Sequence, residues 1–431
     1  MKEANFKALL PIGVFLVLYL GLGILFEYVL KVGMGFYNIP IVVVFVIALL
    51  VACVQNRSLS FDDKLGVMGK GVGDKNIITM VLIFLLAGMF VGVVGRSSAE
   101  SVAYFMLSLI PAHYAVAVLF VVGCFVSVAM GTSVGTITLL TPIAVAVSRA
   151  SGFDMALCVG TVMGGAMFGD NLSFISDTTI AACNGQGCAM KDKFKVNFRL
   201  VFPAALCVLA YYVYRGFGMS VPHEAYPIEW VKVLPYLVVL ATAFMGFNVA
   251  VVLLLGILTS GIVGISTGSI DMFDWFGSLG AGMSGMGELI IITLMAGGML
   301  ELIRFNGGVD YIIHALTRKI NGKKGAEMCI AALVSIANIC TANNTIAIIT
   351  VGPLANDIAT KYGVDKRKSA SILDTFSCVV QGFIPYGAQM LMAAKLASIS
   401  PLSIIEYLYY PMGILAMALF SILARWPKKY S

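Results

Sequence analysis

FGDNLSFISDTT, residues 168–179, places Asp170, Asn171, Ser173, Ser176, Asp177, Thr178 and Thr179 in the middle of an otherwise apolar run. A charge at the centre of a membrane helix costs roughly 2.5–3.5 kcal/mol on insertion scales, so two carboxylates in one run demand compensation. A bound cation or a proton supplies it. Oxygen ligands from carboxylate, hydroxyl and freed backbone carbonyl suit a hard cation such as Na+. Lipid cannot satisfy an open backbone, so such a break survives only where protein or a water-filled cavity surrounds it. The run therefore reads as the break of a discontinuous helix over residues 154–183. Asp170, Asn171, Ser173, Ser176, Asp177 and Thr178 are its candidate cation- or proton-binding residues, with Na+ expected at Asp170 and Asp177. Helix caps at a break are the bland alternative, and they account for one aspartate better than for two.

The remaining sequence makes the surroundings a membrane. Of 431 residues, 60% are hydrophobic and 12% charged, against about 25% charged in a soluble domain. Mean hydropathy is +0.96. Plain spans are expected at 9–30, 39–54, 77–95, 200–217, 233–245, 247–264, 288–304 and 405–424. The first apolar run, Leu9 to Leu30, is too long for a cleavable signal and lacks a cleavage site. Membrane lipids are then the principal surroundings, and the fold class is an all-α polytopic membrane protein.

Three further segments behave like 154–183. Residues 112–148 and 326–356 are apolar but cut near the middle by small polar residues, and read as re-entrant hairpins. Residues 371–394 read as a second discontinuous helix. Three spans, a hairpin, a broken helix and one span thus occur twice, over 1–220 and 221–431. A shift of 211 residues superposes Ile137 on Ile348, Pro142 on Pro353, Gly152 on Gly363 and Asp154 on Asp365. Five spans per half make the second repeat inverted. With the N-terminus in the cytoplasm, the basic stretches fall inside: Lys2 and Lys7; Arg57, Lys64, Lys70 and Lys75; Lys191, Lys193, Lys195 and Arg199; Arg318–Lys324; Lys361–Lys368; and Arg425, Lys428 and Lys429. Asp271 and Asp274 fall outside, so the positive-inside rule holds with both termini cytoplasmic. The net charge of +6 reports this orientation rather than nucleic-acid binding. Inverted repeats with broken helices are the architecture of secondary transporters, whose sites lie where half-helix ends meet.

The hairpin tips and the second break complete the candidate site. The first tip, MGTSVGT from Met130 to Thr136, has Gly131 and Gly135 for a tight reversal and hydroxyls at Thr132 and Ser133. Its counterpart, TANNT from Thr341 to Thr345, sets Asn343 and Asn344 in register with them. An asparagine ligates a cation through its carbonyl or a carboxylate through its amide, although small polar residues also glue packed helices. The second break offers Asp374 as a third buried carboxylate and Gln381, Tyr386 and Gln389 as cavity lining.

Other features carry less. Cys53, Cys124, Cys158, Cys207, Cys329, Cys340 and Cys378 sit in apolar runs as small packing residues, and Cys183 and Cys188 have no histidine at zinc spacing. Glu301 and Arg304, three apart, read as a structural pair, and Glu27 lies close to Lys31. The sequence has no Walker-type loop, which leaves ATP-driven transport unsupported, and no HExxH metal motif or nucleophile–histidine pair, which speaks against an enzyme. No cofactor is expected, and Na+ and H+ are the transported or coupling ions.

GTSVGT followed by GDNLSFISDTT resembles the NhaC-type Na+/H+ antiporters, whose pattern is similar to G-T-S-x-G-T and then G-D-x-x-S-P-x-S-D-T-T. Phe174 stands where many members have proline. The resemblance implies that Asp170, Ser173, Ser176, Asp177 and Thr178 carry the cation site. TANNT and QGFIPYG resemble the second hairpin and broken helix of the wider ion-transporter superfamily. That superfamily includes Na+-coupled carboxylate symporters and commonly forms homodimers. The resemblance also implies a cell (inner or plasma) membrane location. The leading expectation is a secondary active Na+/H+ antiporter working by alternating access. The alternative is a Na+- or H+-coupled carrier of an amino acid or small organic acid, with Thr132, Ser133, Asn343 and Asn344 on the substrate carboxylate.

Overall fold

In a computed structural model, residues 4–31, 40–56, 58–109, 111–217, 228–317 and 320–430 are described, and they form helices and the turns between them. Lys2, Arg57 and Arg318, invoked for orientation, and the first residue of the 39–54 span lie outside the described residues. Chain order runs α1 (Phe6–Ile24), α2 (Ile41–Gln55), α3 (Phe61–Val72), α4 (Lys75–Leu109), α5 (Ala115–Met130), α6 (Ser133–Ser151), α7 (Met155–Leu172), α8 (Asp177–Gln186), α9 (Met190–Phe217) and α10 (Trp230–Phe244). It continues with α11 (Val249–Ser266), α12 (Met272–Gly285), α13 (Gly287–Phe305), α14 (Gly308–Thr317), α15 (Gly322–Thr341), α16 (Asn344–Tyr362), α17 (Lys366–Phe383), α18 (Ala388–Ala397), α19 (Pro401–Ile405) and α20 (Tyr409–Leu423).

Among the described residues, seven helices, or eight counting a bent pair, are long and apolar enough to cross a membrane. The protein is a multi-pass membrane protein. Both expected breaks are present: α7 stops at Leu172 and α8 resumes at Asp177, and α17 stops at Phe383 and α18 resumes at Ala388. The hairpin limbs are long. At 1.5 Å per residue, the 19 residues of α6 reach about 28 Å, close to the hydrocarbon thickness. Three of the four limbs have the length and hydropathy of a crossing span.

The 211-residue shift relates local geometry as well as letters. Thr132 caps α6 by accepting from the Gly135 N–H, and Asn343 caps α16 by accepting from the Ile346 N–H. Gly152 (φ 74°) and Gly363 (φ 70°) end these helices in the left-handed region that glycine tolerates. Asp154 and Asp365 then cap α7 and α17.

Several expectations need correcting. The basic stretch around Lys64 and Lys70 is helical: α3 opens with a Ser60–Asp63 capping box and packs on α13. The span expected at 77–95 runs on to Leu109 as a 35-residue helix. Asp271 starts α12 by capping it, and α12 meets α13 at a 40° bend, so this apolar stretch is a broken pair rather than one span from 288. Backbones touch where glycines allow it: a Cβ on Gly92 would lie 2.4 Å from the Ser278 carbonyl oxygen of α12. The α4 helix also packs on α6, which brings this layer up to the first hairpin.

Candidate functional site

The site is built at the first break. Gly169 lets α7 press on α5, since a Cβ there would run into Ser127. Ser127 in turn donates its hydroxyl to the Ala166 carbonyl at 2.7 Å. Gly131 (φ 69°) turns the chain between α5 and α6 against Ile175, which lies within the break. The first turn of α6 is thereby set beside the end of α7. Asp170 is buried at 3% exposure, and Ser133, the first residue of α6, faces its carboxylate with both hydroxyl and backbone N–H. A helix N-terminus turns its free N–H groups and positive dipole end towards an anion. Ser176 donates to Asp170 Oδ1 at 3.5 Å and lies 2.9 Å from the Thr178 hydroxyl. The freed Asp170 carbonyl accepts from Thr178 and Thr179.

The second break reaches the same place. Gln381 donates to Gln389 Oε1 at 2.7 Å, and Gln389 donates to the Ser133 hydroxyl at 3.2 Å. Gln381 also donates to the Ala342 carbonyl at the second tip. A polar chain thus runs from α17 through α18 and α6 to Asp170. Gln381 itself stands behind the wall, while Gln389, Ser133 and Asp170 border a cavity of about 70 Å³, lined also by Asn76, Thr79, Met80, Thr132, Asp177 and Asn343. Ser176, Thr178 and Asn344 line it too.

The candidate residues divide. Asp170, Ser176, Asp177, Thr178, Thr132, Ser133, Asn343, Asn344 and Gln389 share the cavity. Asp177 is exposed at its rim rather than buried beside Asp170, and Lys75 acts on it electrostatically. Asn343 caps α16 and sets its amide 3.2 Å from the Met80 sulfur. The Asn344 amide nitrogen lies 4.0 Å from the Cys378 sulfur. Asn171, Ser173 and Asp374 lie outside this cavity. Asn171 donates to Asp374 Oδ2 at 3.2 Å and accepts from Tyr410 at 2.8 Å. Ser173 donates to the Val128 carbonyl, which ties the break to α5. Tyr386 borders a separate small apolar cavity, and its hydroxyl is taken by the Ile339 carbonyl at 2.8 Å.

Asp374 is fully buried and ion-paired with Lys193 at 2.8 Å. Lys193, placed by the sequence with a cytoplasmic basic cluster, is itself 1% exposed. The reason is periodic: Lys193, Asn197, Leu200, Val201 and Ala204 share the buried face of α9, while Lys191 and Lys195 lie on other faces.

A model of the Na+/H+ antiporter family matches residues 4–217 and 226–426. The chain belongs to this family. It is 26% identical to the Na(+)/H(+) antiporter NhaC of Alkalihalophilus pseudofirmus over 410 residues, 86% of each chain. It is 24% identical to the Na(+)/H(+) antiporter NhaC of Bacillus subtilis, over 84% of this chain and 87% of that one. The Malate-2H(+)/Na(+)-lactate antiporter of Bacillus subtilis is 20% identical over 96% of this chain and 93% of that one.

Sequence reading of this Na+/H+ antiporter family chain missed Lys193, Asn197, Asn76, Thr79 and Met80 at or beside the site. Helical periodicity signals the first two. Nothing in the sequence brings the start of α4, with Asn76, Thr79 and Met80, to the two hairpin tips.

Proposed function

We propose that this chain exchanges Na+ for H+ across the cell membrane by alternating access, with Asp170 holding Na+ in one part of the cycle and a proton in the other. One observation carries this reading: Asp170 is a buried carboxylate that faces a polar cavity at a helix break. Its charge has two natural partners there. Na+ would be held by the Asp170 carboxylate with the hydroxyls of Ser176 and Thr178, and H+ by the carboxyl alone. Asp177, exposed at the rim, would receive the ion from water. Ser133 and Gln389 would orient the Asp170 carboxylate, and Thr132, Asn343 and Asn344 would wall the cavity.

The alternative, a coupled carrier of an amino acid or small organic acid, draws support from the amides of Asn343, Asn344 and Gln389 on the cavity wall. The name of the malate–lactate relative also favours it. Against it stand the family match and the two NhaC relatives, which favour exchange of Na+ for H+.

Two halves, 1–220 and 221–431, related by inversion would give the alternation its two end states, and the recurring cap geometry at the 211-residue shift supports them. The positive-inside rule favours cytoplasmic termini. A homodimer belongs to the same reading, and native mass spectrometry in detergent tests it by chains per particle.

The test uses proteoliposomes holding a pH-sensitive dye. A proton gradient is imposed and NaCl added. Dissipation by Na+ that is abolished in Asp170→Asn upholds exchange. A gradient that Na+ leaves intact until malate or an amino acid is added moves the assignment to the coupled carrier.

A further inference from the structure

The oxygen cage best suited to a cation by composition is not at Asp170 but beside it, and it is already filled. Lys193 Nζ lies 2.8 Å from Asp374 Oδ2, 2.9 Å from the Asn171 carbonyl and 2.7 Å from the Thr179 hydroxyl. Carboxylate, backbone carbonyl and hydroxyl are the hard donors that take Na+. An ammonium has three N–H donors and no acceptor, and all three are used. Asn197 braces the cage by donating to Asp374 Oδ2 at 2.7 Å and to the Asn171 carbonyl at 2.8 Å. Asp374 Oδ1 is buried and without a hydrogen bond, so Lys193 is the cation that balances it. The cage sits at the C-terminal end of α7, where carbonyls and the negative dipole end favour a positive charge.

We propose that Lys193 is a tethered counter-cation that occupies a second cation site, withholding Asp374 from exchange and leaving Asp170 as the buried carboxylate that loads and unloads. This rests on the exchange reading above and adds to it a reason for stoichiometry: one exchangeable carboxylate, one proton per ion. The titratable groups facing Lys193 are Asp374 on α17 and, more distantly, Cys378 on the same helix and Cys183 and Cys188 around the end of α8. Asp170 acts on Asp374 from across α7.

Removing the ammonium leaves a lone buried carboxylate, which is neutralised by taking a proton. Na+ entering the vacated cage would displace that proton to water, so the chain would release two protons instead of one. The experiment counts protons released per chain when NaCl is added to purified protein in weakly buffered detergent with a pH indicator.

Wild type should release one, and Lys193→Met two. Lys193→Met/Asp374→Asn should return to one, and Lys193→Met/Asp170→Asn should also release one. Lys193→Arg, which keeps the charge, should stay at one. If Lys193→Met does not fold, Lys193→Gln replaces it, because its amide still donates to the Asn171 carbonyl. A count that stays at one in the neutral variant, with wild type also at one, overturns this inference and leaves the exchange reading standing. No release from wild type overturns both. A merely structural ion pair would lower the melting temperature without moving the count, so melting is recorded alongside.

Discussion

Ala342 and Gly131 occupy equivalent turns at the two hairpin tips and solve them differently. Gly131 adopts φ 69° freely, whereas Ala342 is held at φ 50°. The left-handed region costs a residue with a Cβ roughly 1–2 kcal/mol, partly offset by the entropy glycine loses on ordering. Ala342→Gly should therefore raise the melting temperature slightly in detergent. Gly131→Ala should lower it, because its Cβ would also lie 2.7 Å from the Ile175 side chain. Equal and unchanged melting in both would contradict this account of the tips.

Asp365 tests pH at the same scale. It caps α17 in the loop outside the spans, accepting from the Arg367 N–H at 2.8 Å and Nε at 2.9 Å. The Arg367 guanidinium holds its carboxyl below the usual carboxylate range. A depressed folded value means stability that is present above the unfolded value, about 3.9, and lost as pH falls through the folded one. Melting should therefore drop more steeply for wild type than for Asp365→Asn as pH falls below about 4. Parallel curves would show that the cap carries no such linkage.

At the scale of elements, the α7 break depends on close contact. The α5–α7 pair meets through Gly123, Gly165 and Gly169, and a Cβ on Gly165 would lie 2.9 Å from the Phe120 carbonyl oxygen. Overpacking such a contact costs typically 1–3 kcal/mol. Gly165→Ala should reduce melting and also weaken exchange, since pushing α7 away from α5 displaces Asp170 from Ser133. Thermal shift and the proteoliposome assay read the two effects separately, and intact exchange with reduced melting would uncouple packing from the site. Both breaks were legible in the sequence because polar residues, Gly and Pro interrupt apolar runs. The helices α3, α12 and α14 were not, because charged or glycine-rich connections resemble loops until their packing partners are known.

For the whole molecule, the two halves are fastened at the polar centre rather than only along apolar faces. Asn171 and Asn197 from the first half reach Asp374 in the second, Gln186 donates to the Gly352 carbonyl, and Gln389 returns to Ser133. The cavity opens between elements of both. Orientation is testable at this scale: single cysteines in the Lys191–Lys195 stretch and at Asp271 should react with an impermeant thiol reagent from opposite sides of sealed vesicles. Labelling of both from one side would refute the orientation.

The sequence by itself determined the membrane setting, the two breaks, the hairpin turns and Asp170, Asp177 and Asp374 as the candidate carboxylates, because each is a local conflict between apolar surroundings and polar groups, readable without neighbours. Only the tertiary structure decided which carboxylates are free. Asp374 and Asp170 look alike as isolated letters. The partner that makes them different is Lys193, which lies 181 positions from Asp374 in the chain and is brought to it by the packing of α9 on α17. Charge compensation in a buried centre is a property of distances between elements, and the helical face of α9 had to be docked before that ammonium could be counted.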